Sequence, residues 1–178
     1  MNRRSALRWV SIAVCLLAMV ATAAAASVPL TLPDFVDMAV DEVNGGVYIT
    51  SGPSGDAITV LNLDGSPKTL ITGVGDAQQI ERAIDGSAIY VALQSNHAIG
   101  VIDPTTRAMT TVDLGAGRCP SSIAQSGDVL WFTYGACTFG PDTLGSMRLS
   151  DRHVTLQLGS AARVVSSPGL GSTLGVWN

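Results

Sequence analysis

Charge is scarce in this chain, with 13% of the 178 residues ionisable as Asp, Glu, Lys or Arg. Beyond residue 26 there is a single lysine, Lys68. Clustered basic groups are what phosphate binding needs, so nucleic acid is excluded as a partner. Histidine occurs twice, as His97 and His153; a zinc site built on paired histidines is therefore not expected, and neither histidine makes a base with the available Ser or Asp residues. The three cysteines form no Cys-x-x-Cys, which argues against a redox motif. No Asp-x-Asp loop supplies the dense oxygen spacing of a calcium site. Helical periodicity is absent after Ser27, which leaves strands as the building material.

What is present begins with apolar residues, 47% of the chain, enough for one ordinary core. The N-terminus stands apart from that core. Arg3, Arg4 and Arg8 form a positive segment, residues 9–20 an uncharged apolar one, and Ala24-x-Ala26 a small-residue cleavage pattern. Residues 1–26 thus read as a signal peptide, with Ser27 first in the mature chain and an extracytoplasmic address. An uncleaved anchor is the competing reading, since residues 9–26 are uncharged and just long enough to span. The Arg3-Arg4 pair leaves Sec and twin-arginine export both open. A lipoprotein is excluded because Val14 precedes Cys15 in the middle of the apolar segment. Without its leader the chain carries seven basic and fourteen acidic groups, a formal −7.

The strongest pattern is an internal repeat. Val47-Tyr48-Ile49, Ile89-Tyr90-Val91 and Leu130-Trp131-Phe132 are apolar triplets with a central aromatic, 42 and 41 residues apart. Each is preceded by a tight-turn dipeptide, Asn44-Gly45, Asp85-Gly86 or Ser126-Gly127, and followed by a second apolar run. Each unit reads as four short strands, A to D; in the second they lie near 79–84, 88–93, 98–102 and 108–114. Apolar residues at adjacent rather than alternating positions mark strands covered on both faces. Four strands at this period are the blade of a β-propeller, in which each sheet is sandwiched between its neighbours. The fold class is therefore all-β, with blades at 34–74, 75–116 and 117–158 and a partial fourth at 159–178. Tyr48, Tyr90 and Trp131, recurring with the repeat, are expected between blades rather than on a binding surface.

The stretch IYVALQSNHAIGVIDPTTRAMTTVDLGAGRCPSSIA, residues 89–124, resembles the YVTN-type propeller repeat, with its Tyr-Val strand, Asn-containing loop, Val-Ile-Asp strand and Gly-x-x-Pro junction. The resemblance covers residues 34–158 in three copies. The first lacks the Gly-x-x-Pro element and the third the Asp-Pro turn. It implies the fold and leaves function open, because that family includes surface proteins, binding proteins and enzyme domains.

VPLTL at 28–32 looks like an orphan outer strand of the kind that closes a ring. The last unit stops after its second strand. An incomplete ring is expected, with truncation the favoured cause because the ending falls inside a unit, and closure by a second copy or an unusual four-blade arrangement the alternatives. Open edges of this kind invite self-association.

In a propeller the D-to-A and B-to-C loops share one face, where ligands bind. On it fall Asp34, Asp56, Asp76 and Asp142, with Arg118 nearby; His97, expected as a solvent-exposed loop residue; and Phe139, in the one extended loop. His153 falls on the opposite face. Turn formation explains the acids better than a ligand site does, since Asp is a turn residue. Counting outward from the Gly127 hairpin sets Cys119 opposite residue 135, close enough to Cys137 for a disulfide in an oxidising compartment. Two unrelated thiols are the alternative. No cofactor or metal is expected. The functional expectation is a binding or scaffold module without catalysis, taking a protein or cell-envelope ligand. The alternatives are part of a propeller enzyme, of lyase or quinone-dependent dehydrogenase type, and a structural envelope protein.

Overall fold

The computed structural model describes residues 32, 34–137, 142–160, 163–166 and 174–177. The leader at 1–26, all of VPLTL but its last residue, and Phe139 lie outside them. Among the described residues every regular element is a strand.

Twelve strands form three antiparallel four-stranded sheets in simple up-and-down order. The first holds β1 (Asp37–Asp41), β2 (Gly46–Thr50), β3 (Ala57–Leu61) and β4 (Pro67–Thr72). The second holds β5 (Ala77–Arg82), β6 (Ile89–Leu93), β7 (Ala98–Ile102) and β8 (Met109–Asp113). The third holds β9 (Cys119–Ser126), β10 (Val129–Gly135), β11 (Thr143–Arg148) and β12 (Val154–Thr155). A two-stranded sheet, β13 (Arg163–Ser166) with β14 (Leu174–Trp177), follows. The first strands pack in succession, β1 on β5, β5 on β9 and β9 on β13, so the sheets are set radially with these strands innermost.

Local chemistry explains the hairpins. Gly45, Gly86 and Gly127 hold φ of 62°, 74° and 61° at the A-to-B turns, backbone that glycine reaches without strain. Aspartates close turns as well: Asp85 accepts from the Ser87 hydroxyl and amide at the turn that holds Gly86, Asp64 likewise from Ser66 between β3 and β4, and Asp103 from the amides of Thr105 and Thr106 between β7 and β8. These hydrogen bonds hold all three carboxyls below their ordinary range.

Strand alternation divides the core between the blades. All five residues of β6 and all five of β7 are buried. In β6, Ile89, Val91 and Leu93 face blade 1, while Tyr90 and Ala92 face blade 3. Tyr48 is fully buried and Tyr90 is 6% exposed, between blades as the repeat requires, whereas Trp131 is only half-buried. Blade 1 covers Ile80, leaving it 4% exposed, whereas Met38, one repeat earlier, is 53% exposed because no described sheet covers that side.

One set of contacts at the inner strands is periodic. The side chains of Asp37, Gln79 and Ser122 accept from the backbone amides of Ile80, Ile123 and Val164, each on the next blade, at 3.1, 3.3 and 3.0 Å. A strand amide with no partner inside its own sheet is thus satisfied by a neighbouring blade. Buried Asp41 adds an ion pair to Arg82 at 3.2 Å and accepts from Asn44 Nδ2 at 2.7 Å. Burial, the largest single influence, opposes its ionisation, yet the bonds from Asn44 and Arg82 together outweigh it and hold the carboxyl below its ordinary value. A carboxyl with a depressed folded pKa contributes stability that is present above its unfolded value, about 3.9, and lost as pH falls through the folded one. Asp41→Asn should therefore flatten the acid limb of the stability curve below about pH 4, measured as urea midpoints between pH 2 and 6; a limb of unchanged steepness would remove Asp41 as a contributor.

Candidate functional site

The loop face carries two separate groupings. The first is an open cavity of about 370 Å³ between blades 1 and 2, lined by Ser54 and Asp56 from the β2–β3 loop, Gly75 and Asp76 from the link between blades, and Ser95 from the β6–β7 turn. Asp34 joins it through Ser54, whose hydroxyl donates to Asp34 Oδ2 at 3.3 Å. Two of the acids predicted from sequence, Asp56 and Asp76, therefore line one place, and a third, Asp34, is bonded to its rim. Asp76 is half-buried, holds φ at 56°, and accepts from Gln78 Nε2. Asp56 is exposed. Carboxylates around such a concavity favour ligands that present cations or hydrogen-bond donors.

The second grouping lies between blades 2 and 3. Cys119 and Cys137 form a disulfide with Cα atoms 5.1 Å apart. The sequence-derived register holds, since Cys119 pairs with Gly135 across the β9–β10 ladder. Cys119 is 2% exposed and Cys137 is exposed. His97 requires a correction. It is half-buried, not a free loop residue, and its Nδ1 lies 3.3 Å from Cys119 Sγ and 3.5 Å from Cys137 Sγ. The cause is tertiary, because the turn that carries His97 belongs to blade 2 and abuts the start of β9 in blade 3. The three side chains offer ligand atoms within 4.8 Å of one another. One histidine with two sulfurs is as suitable a donor set for zinc as paired histidines are.

Arg118 is exposed and its guanidinium donates to the Leu114 carbonyl, a link that ties the junction between blades 2 and 3. Asp142 is half-buried and accepts from Ser121 Oγ at 2.8 Å, apart from the other acids. His153 is exposed in the turn between β11 and β12.

On the opposite face a cavity of about 460 Å³ opens between blades 2 and 3, with Tyr90, Asp103, Met147 and Arg152 among its lining. Burial pushes the phenols of Tyr90 and Tyr48 up from their ordinary value, so both stay protonated at neutral pH. Tyr48 uses its proton to donate to Pro104 O at 3.3 Å, closing blade 1 onto blade 2. The acceptor series Asp37, Gln79 and Ser122 was missed by motif reading. Its spacing of 42 and 43 residues lies within two residues of the 42 and 41 of the aromatic repeat, a signal that points to it.

Radial four-stranded antiparallel sheets with inner strands packed in series define a β-propeller, and comparison with known folds agrees. Virginiamycin B lyase from Staphylococcus aureus is similar at 19% identity and TM-score 0.61, over 85% of this chain and 51% of that one. The WD40 repeats of RRP9 are similar at 10% identity and TM-score 0.61, over 78% and 43%. The extracellular domain of the hybrid two-component system BT4673 from B. thetaiotaomicron is similar at 14% identity and TM-score 0.61, over 85% and 22%. The chain spans about half the length of these neighbours or less. No family model and no curated protein matches it.

Proposed function

We propose that this chain is an exported binding or scaffold module, a propeller of the YVTN type on its repeat motif, without catalysis of its own. The observation that carries the reading is that Asp56 of blade 1 and Asp76 of blade 2 line one open cavity on the loop face, with Asp34 bonded to Ser54 at its rim. Turn formation alone would explain each acid singly, but not their meeting across two blades. The ligand is a protein or cell-envelope component presenting amines or hydroxyls. The extracytoplasmic address is supported by the leader-like residues 1–26, the disulfide, and the extracellular neighbour.

Immobilised chain is expected to capture a defined component from cell-envelope and extracellular extracts, and the double variant Asp56→Asn/Asp76→Asn to lose at least about tenfold in capture, the loss of one to two charge-assisted hydrogen bonds. Undiminished capture by the double variant would sink the assignment of this cavity. The rival reading, part of a propeller enzyme, draws on the lyase neighbour; consumption of virginiamycin B by the purified chain would decide for it. A structural envelope role predicts wall-bound rather than released material on cell fractionation.

A further inference from the structure

His97 is held more firmly than a surface turn requires. It closes the turn between β6 and β7 with φ at 53°, a conformation uncommon for a residue with a side chain. Its amide donates to Gln94 O at 3.2 Å and its carbonyl accepts from Leu114 N at 2.8 Å, so the backbone is fixed on both sides. The imidazole is thereby aimed at both sulfurs of a disulfide that belongs to the neighbouring blade.

Those distances fit coordination. Tetrahedral zinc, with bonds of about 2.3 Å to sulfur and about 2.0–2.1 Å to nitrogen, sets adjacent sulfur and nitrogen ligands about 3.6 Å apart. His97 Nδ1 already stands 3.3 and 3.5 Å from the two sulfurs. Only the sulfurs have to separate, to about 3.8 Å for the same geometry. Cys119 is fixed at the buried start of β9, whereas Cys137 is exposed beyond the end of β10, so Cys137 is the one that moves. Its exposure also opens the bond to attack by an external thiolate.

We propose that the Cys119–Cys137 disulfide is the closed state of a metal site. On reduction, His97 Nδ1 and the two sulfurs hold one thiophilic divalent cation of the zinc class, leaving a fourth position for water or an outside ligand. The chemistry balances as follows. A dithiol reductant delivers two electrons and two protons to the S–S bond, yielding two thiols and the reductant's own disulfide. The cation then displaces one proton from each thiol and takes the lone pair of the neutral imidazole. The two states differ in what they join: the disulfide ties two segments of blade 3, and the cation also ties blade 3 to the His97 turn of blade 2. This site is independent of the acid cavity and of the ligand proposed for it.

The test is a Co²⁺ and Cd²⁺ titration of the purified chain, oxidised or reduced with a phosphine that is then removed without air. The reduced chain should develop a thiolate-to-metal charge-transfer band that saturates at one ion per chain and is displaced by Zn²⁺; the oxidised chain should show none. His97→Asn, which tolerates the left-handed turn, should weaken binding at least about tenfold, the scale on which even outer partners of a metal site act. Absence of the band in the reduced chain, or equal affinity in His97→Asn, overturns the proposal. Should reduction unfold the chain, Zn²⁺-driven recovery of its circular dichroism replaces the band: recovery in wild type but not in His97→Asn supports the site, and recovery in both or neither overturns it.

Discussion

Phe132→Ala is expected to destabilise the chain by about 3–5 kcal/mol, the range for deleting a fully buried aromatic ring. Phe132 has no exposed surface and lies in the cluster that joins blades 2 and 3, with its ring 5.9 Å from that of Tyr134. It pairs with Gly145 across the β10–β11 ladder, and a Cβ on that glycine would fall 2.5 Å from Phe132 Cε2. The ring occupies the space a side chain at 145 would need. Gly145→Ala should therefore cost about 1–3 kcal/mol by overpacking, and most of that cost should vanish when Phe132 is already alanine. Urea unfolding of the two single variants and the double one measures this coupling. Strict additivity would mean that the glycine is there for some other reason.

Removing the disulfide with Cys119→Ala/Cys137→Ser should cost about 3 kcal/mol, the chain-entropy value for a loop of this size, given the separation of 18 residues. Alanine at the buried position avoids leaving an unpartnered hydroxyl, and serine suits the exposed one. For a domain whose whole stability is about 5–15 kcal/mol, such a loss shifts the urea midpoint visibly. The comparison is oxidised wild type against the double variant without reductant. A loss below about 1 kcal/mol would show that the crosslink stabilises little beyond what the β9–β10 ladder already supplies.

The sheets were legible in the residues because the repeat states them three times. The β7 boundaries, Ala98–Ile102, agree with the strand read from sequence, and the three A-to-B turns fall at the dipeptides that mark them. Strand ends read from apolar runs were less sharp: β5 begins at Ala77, two residues before the reading at 79, because the ladder to β6 starts at Ala77–Leu93 and then shifts register. No local pattern encodes such an irregularity. The acids were individually legible as loop residues. Their assembly was not, since Asp56 and Asp76 meet only through the stacking of blade 1 on blade 2.

His97 and Asp142 show where local reading ends. Both lie in loops of the same face by strand count, yet one is drawn against two sulfurs and the other is taken up by Ser121. Strand period, turn chemistry and repeat length are short-range properties, so the amino-acid order alone specifies four-stranded blades, their succession along the chain and the face to which each loop belongs. The contacts between loops of different blades are separated by 22 to 40 residues in the cases of Cys119, Cys137 and His97. They depend on the angle at which one sheet settles on the next, and that angle is set by packing throughout the interface, including Tyr90, Phe132 and Met147. Blade architecture thus follows from the sequence, while the His97–disulfide cluster and the cavity lined by Asp56 and Asp76 exist only once the blades are packed.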